Sequence, residues 1–492
     1  MTTATATAAE TLGEFAAATT VGGLPDEVAD SVGRRVLDTL GIAVAATPLD
    51  TSRAARRWAH ETGGAPVASA VGLPSPTSAP MAAFVNGVLA HSLDYDDTHL
   101  PSVLHPSAVV VPAALAAAER AGATGGDLVR AIAIGLEVSV RLGMAGYDEE
   151  AGNSIFFEHG QHATSICGTL GGAVAAALLD PRGGLPDADR VTHVLGVAAS
   201  MAAGIIEANR TGGTVKRMHC GWAANAAVSA ADLVRLGFTG PPTVLEGRFG
   251  FFQAWLHGAG DLDAVTGGLG TRWEVPRIFF KPYPANHFTH AVVDGAAALR
   301  ERGVTPEQVD AVTVGVPAAN LRTIGEPIEV KRRPTTGYMA QFSAPYAVTV
   351  GLLGGGGLGA SLEDYDDAKT HDQTRLDLMD RTAVEADEEC SRIFPRQFPA
   401  VVRVRLHDGT ELEERVLTTR GGPERPLSFD ELASKFRDNA ERGLDGDGVE
   451  QLQRACRDLP EQKDVSSLLR PLTRVDPIDL DATDSHDPEG DA

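Results

Sequence analysis

From about residue 10 to residue 265 the chain is a succession of apolar segments with helical spacing. They are so rich in Ala and Gly that their helices can approach one another closely. Ser31–Ala46 carries its apolar residues at helical intervals, and Met81–His91 and Ser107–Ala121 follow. Pro106 suits the first turn of the last of these, with His105 just before it. Thr124-Gly125-Gly126-Asp127 has the form of a capping box and predicts a helix to about Met144. Further helices are expected over His162–Leu179, Arg190–Ala208 and Trp222–Leu236, separated by Gly and Pro clusters. Near residue 271 the texture changes. Val309–Val316 alternates like a strand, and Val401–Leu406, Asp408-Gly409 and Glu411–Leu417 read as a hairpin with a type I′ turn. Tyr338–Leu353 reads as a helix between them, and helical spacing returns over Phe429–Gly443 and Val449–Asp458. The expected fold is therefore mainly α. A large all-helical domain is built from both chain ends (1–270 and 423–471), with an inserted smaller α+β lid domain (271–422). An Asp-rich, apolar-poor tail (472–492) is expected to be disordered.

The formal charge is −24, which argues against a nucleic-acid or anionic-membrane partner. It leaves room for an anionic small substrate, because basic groups can gather in one cleft. Only six of the cations are lysines: Lys216, Lys281, Lys331, Lys369, Lys435 and Lys463. Cys167, Cys220, Cys390 and Cys456 are scattered without a CxxC pair, so a reducing, cytoplasmic setting is expected. The first ten residues are Thr/Ala-rich without a basic start and do not read as a signal peptide. No apolar run approaches the ~20 residues that span a bilayer.

Chemistry concentrates in four places. His91-Ser92-Leu93-Asp94-Tyr95-Asp96-Asp97-Thr98-His99, followed by His105-Pro106-Ser107, sets polar groups at the joint of two buried helices, where they are costly unless paired or used. Acid/base work and substrate positioning, capping by Asp and Thr, and a metal site are the three readings. The metal reading is that of a phosphohydrolase, whose pattern calls for an adjacent His-Asp pair that this cluster lacks. Next, Gly160-Gln161-His162 places an imidazole at a helix start. Lys216-Arg217-Met218-His219 groups cations ahead of the helix expected from Trp222, an arrangement that suits an anion. Finally, Phe279-Phe280-Lys281-Pro282-Tyr283-Pro284 holds a lysine between aromatics and prolines at the domain junction, a preferred place for ligands. Gly354-Gly355-Gly356-Gly357-Leu358-Gly359 fits GxGxxG formally but follows a helix-like run, so it is discounted as a dinucleotide site.

Taken in order, Asn86-Gly87, His91 to Thr98, His105-Pro106-Ser107, Lys216 to His219, Leu245-Glu246-Gly247 and Lys281 to Pro284 resemble the MmgE/PrpD family over about residues 10–460. That family includes 2-methylcitrate dehydratase and cis-aconitate decarboxylase. The resemblance implies a homodimer, each subunit with an all-helical domain and an α+β lid and an active site between them. It also implies chemistry with no metal or organic cofactor. Carried over by position, it implies catalytic roles for His105, His162, Asp94 and Thr98, and substrate binding by Lys216, Lys281, Arg217 and Tyr338. Histidine suits proton transfer beside a carboxylate near neutral pH, and the cations suit a small polycarboxylate. Asp94 would orient a histidine and raise its pKa. The chain departs from the family at Asn286 and His287. The expected activity is dehydration of 2-methylcitrate or a related polycarboxylate. The alternatives are decarboxylation of cis-aconitate to itaconate, epimerisation of a related dicarboxylate, metal-dependent phosphohydrolysis and non-catalytic polycarboxylate binding. Lys216-Arg217-Met218-His219 and Gly160-Gln161-His162 resemble the decarboxylase branch more than the enterobacterial dehydratases.

Overall fold

The computed structural model describes residues 6–148, 150, 152–180, 187–208 and 213–475. It is mainly α, with a smaller α+β portion. Two compact units emerge. One comprises the chain to Ser92, Pro101–Ile278 and the chain from Phe436; the other comprises Leu93–Leu100 and Phe279–Lys435.

The first unit is a packing of Ala/Gly-rich helices. Its central members are Asp26–Ala45, Ala79–His91, Ser107–Ala121, Gly125–Met144, Ala163–Ala177 and Val215–Arg235. Small residues let two pairs meet almost backbone to backbone. A Cβ added at Gly87 would lie 2.8 Å from the Cys220 carbonyl oxygen, and one at Gly221 would lie 2.4 Å from that of Phe84. This lock brings the end of Ala79–His91 and the start of Val215–Arg235 into fixed register, and His91 and His219 sit beside it. Gly135 and Gly171 make the equivalent contact between Gly125–Met144 and Ala163–Ala177. The chain's last part belongs to the same unit: helix Gly446–Arg457 packs on Asp26–Ala45, and Phe436 is fully buried. Arg141 and Glu137 form a buried ion pair at 2.6 Å. Arg141 also donates to the carbonyls of Val265, Gly267 and Arg272, while Glu137 accepts from the amides of Glu274 and Val275. With each side-chain nitrogen and oxygen of the pair partnered, its burial is tolerated.

The second unit carries a four-stranded sheet in the order Thr382–Ala386, Val309–Val316, Ala400–Leu406, Glu411–Val416. The first pair is parallel and the others antiparallel. Helices His290–Glu301 and Ala344–Leu353 pack on each other, and the former lies against the last two strands. The short segment Leu93–Leu100 is tied in by a reciprocal backbone pair, Thr98 N–H to the Phe279 carbonyl (2.9 Å) and the reverse (2.8 Å).

Several elements differ from expectation. The helix expected from Trp222 begins at Val215, so Lys216 and Arg217 are in its first turn rather than ahead of it. The helix expected over Arg190–Ala208 runs Ala188–Met201, and Ala202 is extended. Tyr338–Leu353 is two helices, Gly337–Ala340 and Ala344–Leu353. Ser343 interrupts it by accepting from the Tyr346 amide as an N-cap, with Pro345 in the next first turn. The hairpin turn is not type I′. Of its residues only Gly409 has positive φ, its amide reaches the Leu406 carbonyl, and Leu406 N–H pairs with the Thr410 carbonyl. That is a type I turn closed by a left-handed glycine. The glycine run after Leu353 wraps a carboxylate of its own: the amides of Gly356 and Ser361 donate to Asp364 Oδ2. Of the expected tail, Leu472 ends a helix and Val475 is buried, and the rest lies outside the described residues. Among the described residues no helix is long and apolar enough to cross a membrane.

Candidate active site

In the first unit four helix ends bring four imidazoles together. His91 is the last residue of Ala79–His91, His105 precedes Ser107–Ala121 by two residues, His162 is the N-cap of Ala163–Ala177, and His219 lies in the second turn of Val215–Arg235. The ring centroids step from His105 to His91 (5.5 Å), His91 to His162 (5.6 Å) and His162 to His219 (4.9 Å). The His105 amide donates to Thr164 Oγ1 (3.2 Å), and the His162 amide donates to the Gly204 carbonyl (3.0 Å). His162 and His219 face each other through their Nδ1 atoms at 3.0 Å.

Burial pushes the His162 pKa well below the ordinary imidazole value, helped by His91, His219, Lys216 and His105. His219 is lowered to about 4 by burial, His91 and Lys216. Both rings are therefore neutral at pH 7. A bound carboxylate would oppose the cationic surroundings and raise their proton affinity. This makes a neutral, electropositive site suited to exchanging a proton with an anionic molecule.

In the second unit, Asp94 occupies the left-handed region (φ 50°) and is buried. Lys281, 1% exposed, donates to its carbonyl at 2.8 Å and lies 3.4 Å from its carboxylate. Lys435 reaches the next carbonyl, that of Tyr95 (3.1 Å), with its ammonium 3.9 Å from the Tyr95 ring centroid. Thr98 is buried beside Phe279 in the backbone pair already described. One imidazole that feels Asp94 within this unit is His290. It is lowered to about 3, by burial first and then Lys281, against the opposing Ala285 carbonyl contact and Asp94 charge. Tyr338 is 41% exposed on the one-turn helix Gly337–Ala340, its ring against Phe342. Asn286 caps a short 3-10 helix, and His287 packs edge-on against Phe398 at 5.1 Å.

The structure thus brings His105, His162 and Lys216 together in one unit, with Arg217 next to Lys216. It brings Asp94 and Lys281 together in the other. His91 and His219 lie within the sequence motifs without an assigned role, and His290 and Lys435 lie outside them. Asn86, part of the opening motif, pins the preceding loop by accepting from the Val71 amide and donating to the Ser69 carbonyl. Among the described residues no three His, Cys, Asp or Glu side chains are grouped to hold a metal ion.

The neutral histidines set the direction of acid sensitivity. The folded-state values of His219 and His290 lie below the ordinary 6.5, so the unfolded chain binds protons that the folded chain does not. Stability is expected to be full above about pH 6.5 and to fall as pH drops towards about 4. Thermal melts at pH 7.5, 6 and 5 check this; a Tm that holds or rises on acidification contradicts it.

Residues 10–261 match the MmgE/PrpD N-terminal domain and residues 283–460 the MmgE/PrpD C-terminal domain. The chain is 30% identical to the cis-aconitate decarboxylase of Homo sapiens, over 94% of this chain and 93% of that protein. It is 29% identical to the cis-aconitate decarboxylase of Mus musculus, over 92% and 90%. Against the cis-aconitate decarboxylase of Aspergillus terreus the identity is 26%, over 80% of each. Both halves of the chain match, in order, and the chain belongs to the MmgE/PrpD family.

Proposed function

We propose that this protein is a lyase that decarboxylates cis-aconitate to itaconate, or removes CO₂ in the same way from a close polycarboxylate relative. The observation that carries the reading is the run of four imidazoles beside Lys216, two of them held neutral. In the reaction the C–C bond to the carboxylate on the methylene carbon breaks and CO₂ leaves. The electron pair shifts across the double bond, and one proton is added at the far carbon, itself beside a carboxylate. His105 and His162 are the proposed acid–base residues, with His162 delivering the proton. Lys216 and Arg217, at the positive end of their helix, hold carboxylates. For the second unit we propose that Lys281 binds a carboxylate with Asp94 fixing its position, and that Thr98 and Tyr338 contact substrate.

Decarboxylation is favoured over the dehydration of 2-methylcitrate expected from sequence because relatives matched over 80% or more of their length, mammalian and fungal, are named as cis-aconitate decarboxylases. The chemistry described needs only proton transfer and charge stabilisation. EDTA-treated protein is therefore expected to release CO₂ from cis-aconitate at an undiminished rate. Activity lost to EDTA and restored by a divalent metal would overturn this and return the metal-dependent reading.

A further inference from the structure

The contact between His162 and His219 restricts both rings. Two Nδ1 atoms 3.0 Å apart must share one hydrogen, since two lone pairs or two N–H groups would repel at that distance. In the neutral pair, the donor ring has spent its hydrogen at Nδ1 and has a bare Nε2. The acceptor ring carries its hydrogen at Nε2. The rings have little freedom to escape this arrangement. Both are buried. The His219 carbonyl is held by Ser165 Oγ at 3.2 Å, His162 is held by its amide to Gly204, and the Gly87–Gly221 contact locks the helix that carries His219.

We propose that His219 is a positioning residue that donates its Nδ1–H to His162, holding His162 as the Nε2–H tautomer whose proton is delivered to the substrate carbon. This rests on the decarboxylase reading, in which each turnover consumes one proton. As the Nε2 proton passes to carbon, the bridging hydrogen moves from His219 Nδ1 to His162 Nδ1, so no charge is left on His162. His219 takes the replacing proton from solvent at its own Nε2. When product leaves, a solvent proton on His162 Nε2 and return of the bridging hydrogen reset the pair, and His219 releases its Nε2 proton. The groups facing His162 through this cycle are His91, His105, His219 and Lys216.

The test combines nitrogen NMR of ¹⁵N-histidine-labelled protein with kinetics of His219→Leu and His219→Asn. In the wild type, His162 is expected to be protonated at Nε2 with Nδ1 as acceptor, and to lose that preference in His219→Leu. With cis-aconitate, His219→Leu is expected to lower kcat about 10–100-fold with KM little changed, on the scale of other partners that orient an active imidazole. His219→Asn, whose amide N–H can reach the same nitrogen, is expected to recover most of the loss. An Nδ1–H tautomer of His162 in the wild type overturns the proposal. So does a KM effect without a kcat effect, or an Asn variant no better than Leu. The tautomer is read without substrate. A wild type with the expected tautomer that does not release CO₂ therefore sinks the decarboxylase reading and the proton-delivery role built on it, while the pairing of the two rings stands.

Discussion

His105→Ala is expected to cut turnover of cis-aconitate by about 10²–10⁴-fold, the range for loss of a positioned acid or base, while leaving the fold intact. His105 is the half-buried member of the imidazole run, so its removal opens less of a cavity than removal of His91 or His162 would. Its backbone amide donates to Thr164 Oγ1, a contact that an alanine retains. The loss should therefore appear in kcat, with the melting temperature close to wild type. Near wild-type turnover would remove His105 from the mechanism. A collapse of Tm would make it structural.

Lys281→Ala is expected to act differently from what the sequence alone suggests. A lysine that only bound substrate would change KM and leave stability alone. This one is fully buried, donates to the Asp94 carbonyl and neutralises the Asp94 carboxylate. Truncating one partner of a buried pair leaves the other's charge poorly compensated, at a cost of about 3–5 kcal/mol. Asp94 also sits at positive φ, a conformation that persists only while its surroundings hold it. The variant should show both a raised KM for cis-aconitate and a lowered Tm. The double variant Lys281→Met/Asp94→Asn should regain part of the stability without regaining affinity. An unchanged Tm in Lys281→Ala would show that the pair does not hold the 94–95 turn.

Local chemistry was legible in the sequence where it is settled by neighbours. The Thr124–Asp127 capping box forms as expected, with the Asp127 amide reaching Thr124 Oγ1 (3.1 Å) and the helix ending at Met144. Strand Val309–Val316 and the N-terminal place of His162 also follow from local pattern. Strand Thr382–Ala386 was not foreseen. Its residues are mostly exposed, so no apolar alternation marks it, and its parallel pairing with Val309–Val316 is a distant contact. The split of Tyr338–Leu353 was missed because an apolar run continues across a break made by one serine hydroxyl. At the site, local motifs and the family resemblance pointed to His105, His162, Lys216 and Lys281. They could not assign His219 a partner 57 residues away, nor place His290 under the influence of Lys281 and Asp94. Those relations arise from packing: Gly-to-Gly helix contacts in one unit, and lysine-held carbonyls in the other.

The most direct test of the central claim is proton NMR of the purified protein with cis-aconitate in D₂O, run beside an otherwise identical sample with 2-methylcitrate. The expected result is the appearance of itaconate vinyl signals in the first sample, with one deuterium in its methylene group, and no dehydration product in the second. A methyl-alkene product from 2-methylcitrate, with cis-aconitate left untouched, would contradict it.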